Sequence, residues 1–293
     1  MTRPIVFLTD YGTADEFVGV CHGVMLRIAP DARIVDLTHA IPRQDVMRGG
    51  LTLGRATSYM PDDAVYVAVV DPGVGSGRRS VAVRAASGAL LVGPDNGVLS
   101  MAWEALGGAD AAVEITSDAI LLHPVSHTFH GRDVFAPAAA HLAAGLPIDD
   151  LGPAIAVEQL SVVELPGPMV ASGAIGARVT GIDGFGNVQL NVGPHDLDAA
   201  GIGPILTVRG RAVPRVGIFA DLPEERSGPS STRRDSWRWS STGGAPPTRS
   251  RSQPARPWSS SELPDVRAKG WSTGSAAVPG SWDPRAAGDR PRR

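Results

Sequence analysis

Short apolar runs alternate with helically spaced segments along the first 160 residues, and this alternation restricts the fold more than any single motif. Residues 5–8 (Ile-Val-Phe-Leu) form a short apolar strand. Residues 15–28 follow with apolar positions at helical spacing, and Pro30 lies just past the end, where a helix cannot continue. Residues 34–37 are the next strand and 44–59 the next helix. Residues 64–70, 80–84 and 89–92 are further strands, and Pro94-Asp95-Asn96-Gly97 is a turn leading into another helix. Such an order buries both faces of one sheet, which predicts an α/β/α sandwich over residues 1–160. After Pro166-Gly167-Pro168 the segments shorten and become strand-like, at 173–182, 188–191, 205–208 and 213–219. A small β domain is expected over residues 168–223.

From about Glu224 the character changes. The tail is rich in Ser, Arg, Pro and Gly, holds five of the six tryptophans, and has no Ile, Phe, Tyr or Met. No amphipathic period survives, so residues 224–293 are expected to be disordered. Tryptophan is nevertheless unusual in a natural disordered tail, whereas GC-rich coding DNA translated in the wrong frame yields this mixture. Starting each codon one base earlier over residues 226–260 permits a strand-like string with a Ser-Ser-Gly turn. A single-base frameshift near residues 224–226, which leaves the β domain incomplete, is the expectation. The rival reading, a nucleic-acid-binding tail, calls for basic and aromatic residues clustered on a stable platform. Here Arg is scattered among Pro and Ser.

The remaining composition excludes several classes. A net charge of −3 names no polyanionic partner, and no apolar run approaches the roughly 18 residues of a membrane span. Asp10 follows residues 5–8 too closely for a signal peptide. A single cysteine, Cys21, excludes an internal disulfide; among Phe17, Val18, Val24 and Met25 it suits a buried structural thiol. A cytoplasmic protein with a small-molecule substrate, and neither nucleic-acid nor membrane partners, is expected.

Chemistry concentrates in four segments. Val69-Val70-Asp71-Pro72-Gly73-Val74-Gly75-Ser76-Gly77-Arg78 carries a strand into a glycine-rich loop that begins on an acid and ends on an arginine. In open α/β sheets ligands bind beyond the carboxyl ends of strands, so this loop is either an active site or a turn with a capping Asp and a solvated Arg. It lacks the Lys-Ser/Thr ending of a P-loop. Ser126-His127-Thr128-Phe129-His130-Gly131-Arg132-Asp133 leads into a helical pattern at 134–144. His123, His127, His130 and Asp133 could be taken for metal ligands, but a loop running into a helix does not put all four on one face. Asp133 more simply serves the helix N-terminus. Leu8-Thr9-Asp10-Tyr11-Gly12 follows the first strand, and Gly181-Ile182-Asp183-Gly184-Phe185-Gly186-Asn187 interrupts a later one. His39 is as compatible with a structural role as with a substrate-facing one.

These four segments, in this order, resemble the S-adenosyl-L-methionine hydroxide adenosyltransferases, hydrolytic relatives of the S-adenosylmethionine-dependent fluorinase and chlorinase. The resemblance covers roughly residues 3–223. It implies an α/β/α sandwich followed by a small β-barrel, and hydrolysis of S-adenosyl-L-methionine to adenosine and methionine without metal or redox cofactor. It places Asp71, Arg78 and His130 around the attacking water, Asp10 on the ribose hydroxyls, and Asp183 and Asn187 on the methionine amino-acid group. It also implies a homotrimer, with each active site between one subunit's α/β domain and its neighbour's barrel. Halogenating relatives typically carry Tyr at the positions of Asp71 and His130, so this chain favours water over halide. Gly131 stands where fluorinase has Ser and chlorinase Gly. A halogenase, a non-catalytic adenosyl binder and an inactive frameshift product are the alternatives.

Overall fold

The computed structural model describes residues 2–183, 187–208, 211–214 and 266–270. The chain divides into two units, Met1–Pro166 and Gly167–Arg293. The first contains β1 (Ile5–Thr9), α1 (Phe17–Ile28), β2 (Ile34–Thr38), α2 (Val46–Ala56), β3 (Val65–Val69), β4 (Ser80–Ala85), β5 (Leu90–Pro94), α3 (Ser100–Ala105), β6 (Ala109–Glu114), α4 (Ala136–Ala143) and β7 (Ala154–Ile155). Its seven strands form one sheet in the order β2-β1-β3-β5-β4-β6-β7. β2, β1, β3 and β5 run parallel, and β4, β6 and β7 pair antiparallel.

The alternating side-chain direction of a strand divides the core in two. Ile5, Phe7, Val65 and Val67 pack with Cys21, Met25, Ala139 and Leu142 of α1 and α4. Val6, Leu8, Tyr66 and Ala68 pack on the other face with Leu53, Leu99 and Trp103 of α2 and α3. β1 and β3 are buried along their whole length, and strands covered on both faces read as near-continuous apolar runs, broken in β1 only at its last residue, Thr9. The expected α/β/α sandwich is this unit.

The order β2-β1-β3 positions the site. α1 carries the chain from β1 to β2 on one side, and α2 carries it back across β1 to β3 on the other. A parallel sheet whose connections diverge in this way opens a crevice at the carboxyl ends of the two strands involved. Beyond the carboxyl ends of the parallel neighbours β1 and β3 lie Asp10 and the loop that starts at Asp71.

The second unit has β8 (Met169–Ala171), β9 (Ala174–Ala177), β10 (Val179–Ile182), β11 (Val188–Leu190), α5 (Pro194–Ala199), β12 (Ile205–Val208), β13 (Arg211–Pro214) and β14 (Val266–Gly270). Five strands form a sheet in the order β13-β12-β14-β9-β8, and β10 with β11 forms a hairpin. Ile175, Ala177, Leu197, Ile202 and Leu206 are its core. Among the described residues the sheet ends at β8 and β13. α5 was not foreseen: Pro194 at its first position and Asp196 accepting the Gly193 N–H at 2.8 Å are its start signals. Residues 266–270, in the segment expected to be disordered, lie between β12 and β9; the rest of 224–293 falls outside the described residues.

One boundary in the first unit also shifts. The helix expected from residue 44 starts at Val46, because Asp45 caps it by accepting the Arg48 N–H at 2.9 Å. Gln44 instead has φ +64°, left-handed backbone that costs a non-glycine residue stability. The sheet centre supplies a test of the packing argument. Leu91 is fully buried in β5, and Leu91→Ala is expected to lower unfolding stability by about 2–5 kcal/mol, read from the shift in the urea midpoint at unchanged slope.

Candidate active site

The glycine-rich loop after β3 closes on itself through one ion pair. Arg78 Nε donates to both Asp71 oxygens at 3.0 Å, and Arg78 Nη2 also contacts Asp71 Oδ2. The two side chains are only 10% and 6% exposed, so this is a shielded pair rather than a surface one. Its guanidinium is held from three further directions. Nη1 donates to Ser80 Oγ at 2.7 Å, Nη2 meets His130 Nδ1 at 2.8 Å, and the carbon centre stacks 5.2 Å above the Phe135 ring. Asn96, expected to serve a tight turn, also donates through Nδ2 to the Val70 carbonyl at 2.8 Å, bracing the strand end beside Asp71. The loop is therefore built, and the reading of Arg78 as a solvated turn residue does not hold.

His130 arrives from a different element. It precedes a π-helical turn, Gly131–Phe135, that runs into α4; such turns occur often at functional sites. Asp133 lies fully buried in that turn. Its carboxylate accepts the Ser126 N–H at 2.8 Å and pairs with Arg132. It therefore fastens the preceding loop instead of capping its own helix. A guanidinium can only donate, so the His130 Nδ1 facing Arg78 is an acceptor and the ring proton sits on Nε2. Burial, and after it the adjacent Arg78 charge, push His130 below its ordinary pKa; Asp71 and Asp133 oppose this more weakly. His130 is thus neutral at neutral pH.

A cavity of about 310 Å³ opens over these groups, with Asp10, Tyr11, Arg43, Gln44, Asp71 and His130 on its walls. Asp10 Oδ2 accepts the Gln44 N–H at 2.8 Å, so the strained Gln44 backbone is used to fix one oxygen of Asp10. Tyr11, Phe17 and Phe129 form a three-ring cluster with centroids 5.3–6.0 Å apart. Burial above all raises the Tyr11 pKa, which keeps the phenol protonated.

The SAM hydroxide adenosyltransferase N-terminal domain family matches residues 5–152, just over half of the chain. A protein from Salinispora tropica named (R)-S-adenosyl-L-methionine hydrolase is 50% identical over 220 residues, covering 74% of this chain and 82% of its own length. Its namesake from Salinispora arenicola is 56% identical over 188 residues, covering 64% and 70%. The crystal structure of an uncharacterized conserved protein from Thermotoga maritima superposes with a TM-score of 0.69 at 33% identity, covering 75% of this chain and 85% of that one. The chain belongs to the SAM hydroxide adenosyltransferase family.

Within this family member, the fold puts Asp10, Asp71 and His130 on the walls of one cavity in the first unit, with Arg78 bonded to both Asp71 and His130. Asp183 and Asn187 lie in the second unit and bond to each other: Asn187 donates through its backbone N–H and Nδ2 to the Asp183 oxygens at 2.9 and 2.7 Å. Residues 184–186 between them fall outside the described residues. His123, Asp133 and His130 turn to separate partners, Asp118, Arg132 and Arg78. His39 is buried beneath Thr9, away from the cavity walls. Arg43 and Gln44 were not foreseen. Their one sequence signal is their position beyond the carboxyl end of β2, beside the crevice.

Gly131 has a steric reason of its own. A Cβ placed there would overlap the Tyr11 hydroxyl, so any side chain must displace the aromatic wall. Gly131→Ala is expected to cost about 1–3 kcal/mol through overpacking and lower the unfolding temperature. Adding Tyr11→Phe removes the colliding oxygen and should restore much of the loss.

Proposed function

We propose that this chain hydrolyses S-adenosyl-L-methionine to adenosine and L-methionine. Its two Salinispora relatives carry that activity in their names, and the observation that carries the reading here is the Asp71–Arg78–His130 arrangement at the cavity wall. The water oxygen attacks the ribose C5′ in line. The C5′–S bond breaks with its electron pair going to sulfur, which leaves as a neutral thioether, and the water proton leaves to the protein and then to solvent.

The geometry supports a division of roles. His130 Nδ1 is occupied by Arg78 and Nε2 already holds the ring proton, so His130 suits orienting the water and not deprotonating it. Asp71 keeps lone pairs beyond those that Arg78 uses and is the proton acceptor. Arg78 holds both partners and stabilises the developing hydroxide. Asp10, with one oxygen fixed by Gln44, is proposed to hold the ribose hydroxyls. Asp183 and Asn187 are proposed to hold the ammonium and carboxylate of the methionine part. The step calls on no metal or redox cofactor.

The assembly and location belong to this proposal as well. A homotrimer is supported by the family membership and by exposed apolar side chains in the second unit, Met169, Val170, Ile182 and Ile205. Cytoplasmic location is supported by the single, buried cysteine. The frameshifted reading of residues 224–293 is supported by relatives that match only 64–76% of the chain.

Incubation with S-adenosylmethionine in ¹⁸O-enriched water, with and without chloride, tests the reading. Adenosine carrying ¹⁸O in its 5′-hydroxyl, plus methionine, is expected in both media. A chlorinated nucleoside, or label-free adenosine, would overturn it. The same assay on a chain restored to the earlier frame from residue 226 should show higher turnover and a trimer in sedimentation.

Asp71→Asn is expected to lower kcat by about 10²–10⁴-fold while leaving KM within a few-fold. The depressed His130 pKa fixes the sign of the pH effect. Protonation puts a hydrogen on Nδ1, where Arg78 already donates, so turnover should fall as pH drops below the ordinary histidine value of about 6.5. The unfolded chain takes up that proton first, so His130's contribution to folding stability is complete above that value and lost as pH falls towards the folded pKa. A rate profile that stays flat down to the pH at which the protein itself unfolds in acid would remove His130 from the step.

A further inference from the structure

A second cluster lies on the side of β1 remote from β3. His22 on α1, Asp36 on the edge strand β2 and His39 just beyond it each offer one ligand atom, all within 4.8 Å of one another. His22 Nε2 lies 2.8 Å from Asp36 Oδ1, and His39 Nε2 lies 3.1 Å from the same oxygen. His39 is 94% buried by its 6% exposure, and its Nε2 is the one buried side-chain polar atom without a hydrogen-bond partner among the described residues.

That orphan atom is the decisive feature. The other ring nitrogen, Nδ1, lies 2.9 Å from Thr9 Oγ1, which also accepts the Tyr11 N–H at 3.2 Å. A hydroxyl oxygen has two acceptor positions, so Thr9 can take both hydrogens. The His39 Nε2 lone pair then faces a carboxylate oxygen, two acceptors with nothing between them. In the other tautomer Nε2–H faces Asp36 without hydrogen-bond geometry. Leaving a buried polar atom unsatisfied costs stability in either state, and a cation between the three side chains relieves both.

We propose that His22, Asp36 and His39 bind a divalent transition cation, Zn²⁺ by preference. Two imidazoles and a carboxylate are a recurrent zinc donor set, and Zn–N and Zn–O bonds of about 2.0–2.2 Å put tetrahedral ligands roughly 3.3–3.5 Å apart, so the 2.8 and 3.1 Å separations open by a few tenths of an ångström when the ion enters. Thr9 supplies the outer partner that orients a metal-bound histidine. His22 and Asp36 are 27% and 43% exposed, which opens a path for the ion and a fourth position for water. The cation fastens α1, the edge strand and the β2–α2 connection together. Because Thr9 precedes Asp10 and the His39 carbonyl accepts the Gly12 N–H at 2.7 Å, it also stiffens the β1 exit loop from behind. It takes no part in the proposed hydrolysis.

Tag-free full-length protein, stripped with chelator, is titrated with Co²⁺ and then Zn²⁺. One equivalent of Co²⁺ should bind with tetrahedral d–d absorption that Zn²⁺ abolishes, and Zn²⁺ should raise the unfolding temperature. His22→Ala and Asp36→Asn should each weaken binding by about 100-fold and cancel the thermal shift, while His123→Ala, outside the cluster, should change neither. No stoichiometric binding by the unmutated chain, or equal binding by His22→Ala, overturns the proposal. A loss in His123→Ala matching that in His22→Ala overturns it too.

Discussion

The buried ion pair between Asp71 and Arg78 is the interaction on which the site depends. Withdrawing two charges from water is costly, and their attraction compensates only when geometry is good and the remaining hydrogen-bonding positions are filled. Here Arg78 meets Asp71 through two nitrogens, and its other contacts go to Ser80, His130 and the Phe135 ring. Ser80 opens β4 and Phe135 ends the π-helical turn, so the guanidinium joins the glycine-rich loop and the start of β4 to a turn more than fifty residues away. An apolar pair of the same volume would hold the loop as well or better. What it could not supply is a fixed charge beside a cavity, and that is the sense in which the pair is functional.

The pair works only because the sheet delivers it to the right place. β1 and β3 are neighbours; β1 leaves through a loop into α1 and β3 through the glycine-rich loop directly into β4. Asp10 and Asp71 therefore emerge side by side with no helix between them. The rigid core beneath sets their spacing, since both strands are wholly buried. The loops above need only local fastenings: Asn96 on Val70, Gln44 on Asp10, and Asp133 on Ser126. Each is a polar side chain satisfying a backbone group in a loop near the cavity.

Much of this was legible in residue order. Strands such as β1 and β3, buried on both faces, must be apolar throughout, so their runs stood out, and their last residues marked Asp10 and Asp71. The pairing of Arg78 with His130 was not legible from spacing, because 52 residues separate them; only the family resemblance placed them together. Gln44 shows the opposite limit. A glutamine gives no notice of left-handed backbone, and helical periodicity extended the helix over it until Asp45 was seen to cap. β14 shows a third. Pairing through backbone groups demands little of side chains, so an apolar-poor stretch such as Val-Arg-Ala-Lys-Gly can lie between β9 and β12 without any alternation announcing it.

The electrostatics of the cavity bear on the choice of nucleophile. A halide must shed its hydration and needs a net positive pocket in exchange. The guanidinium nearest the proposed attack point is matched by Asp71 at hydrogen-bond distance, and Asp10 and Asp15 add carboxylates to the same walls. His130, neutral because of burial and of Arg78, brings no compensating charge. Arg43 on the same walls offsets one of these three carboxylates and Arg78 another, so the balance stays negative, which disfavours an anion and suits a cationic sulfonium; the aromatic faces of Tyr11 and Phe17 add to that preference. Water asks for different things: a donor to hold its oxygen, an acceptor for its proton and a fixed positive charge to stabilise the hydroxide character that develops. In the proposed reaction His130, Asp71 and Arg78 are the groups offered for these roles, and replacing Asp71 with a neutral side chain would remove the proposed acceptor and unmask the arginine together.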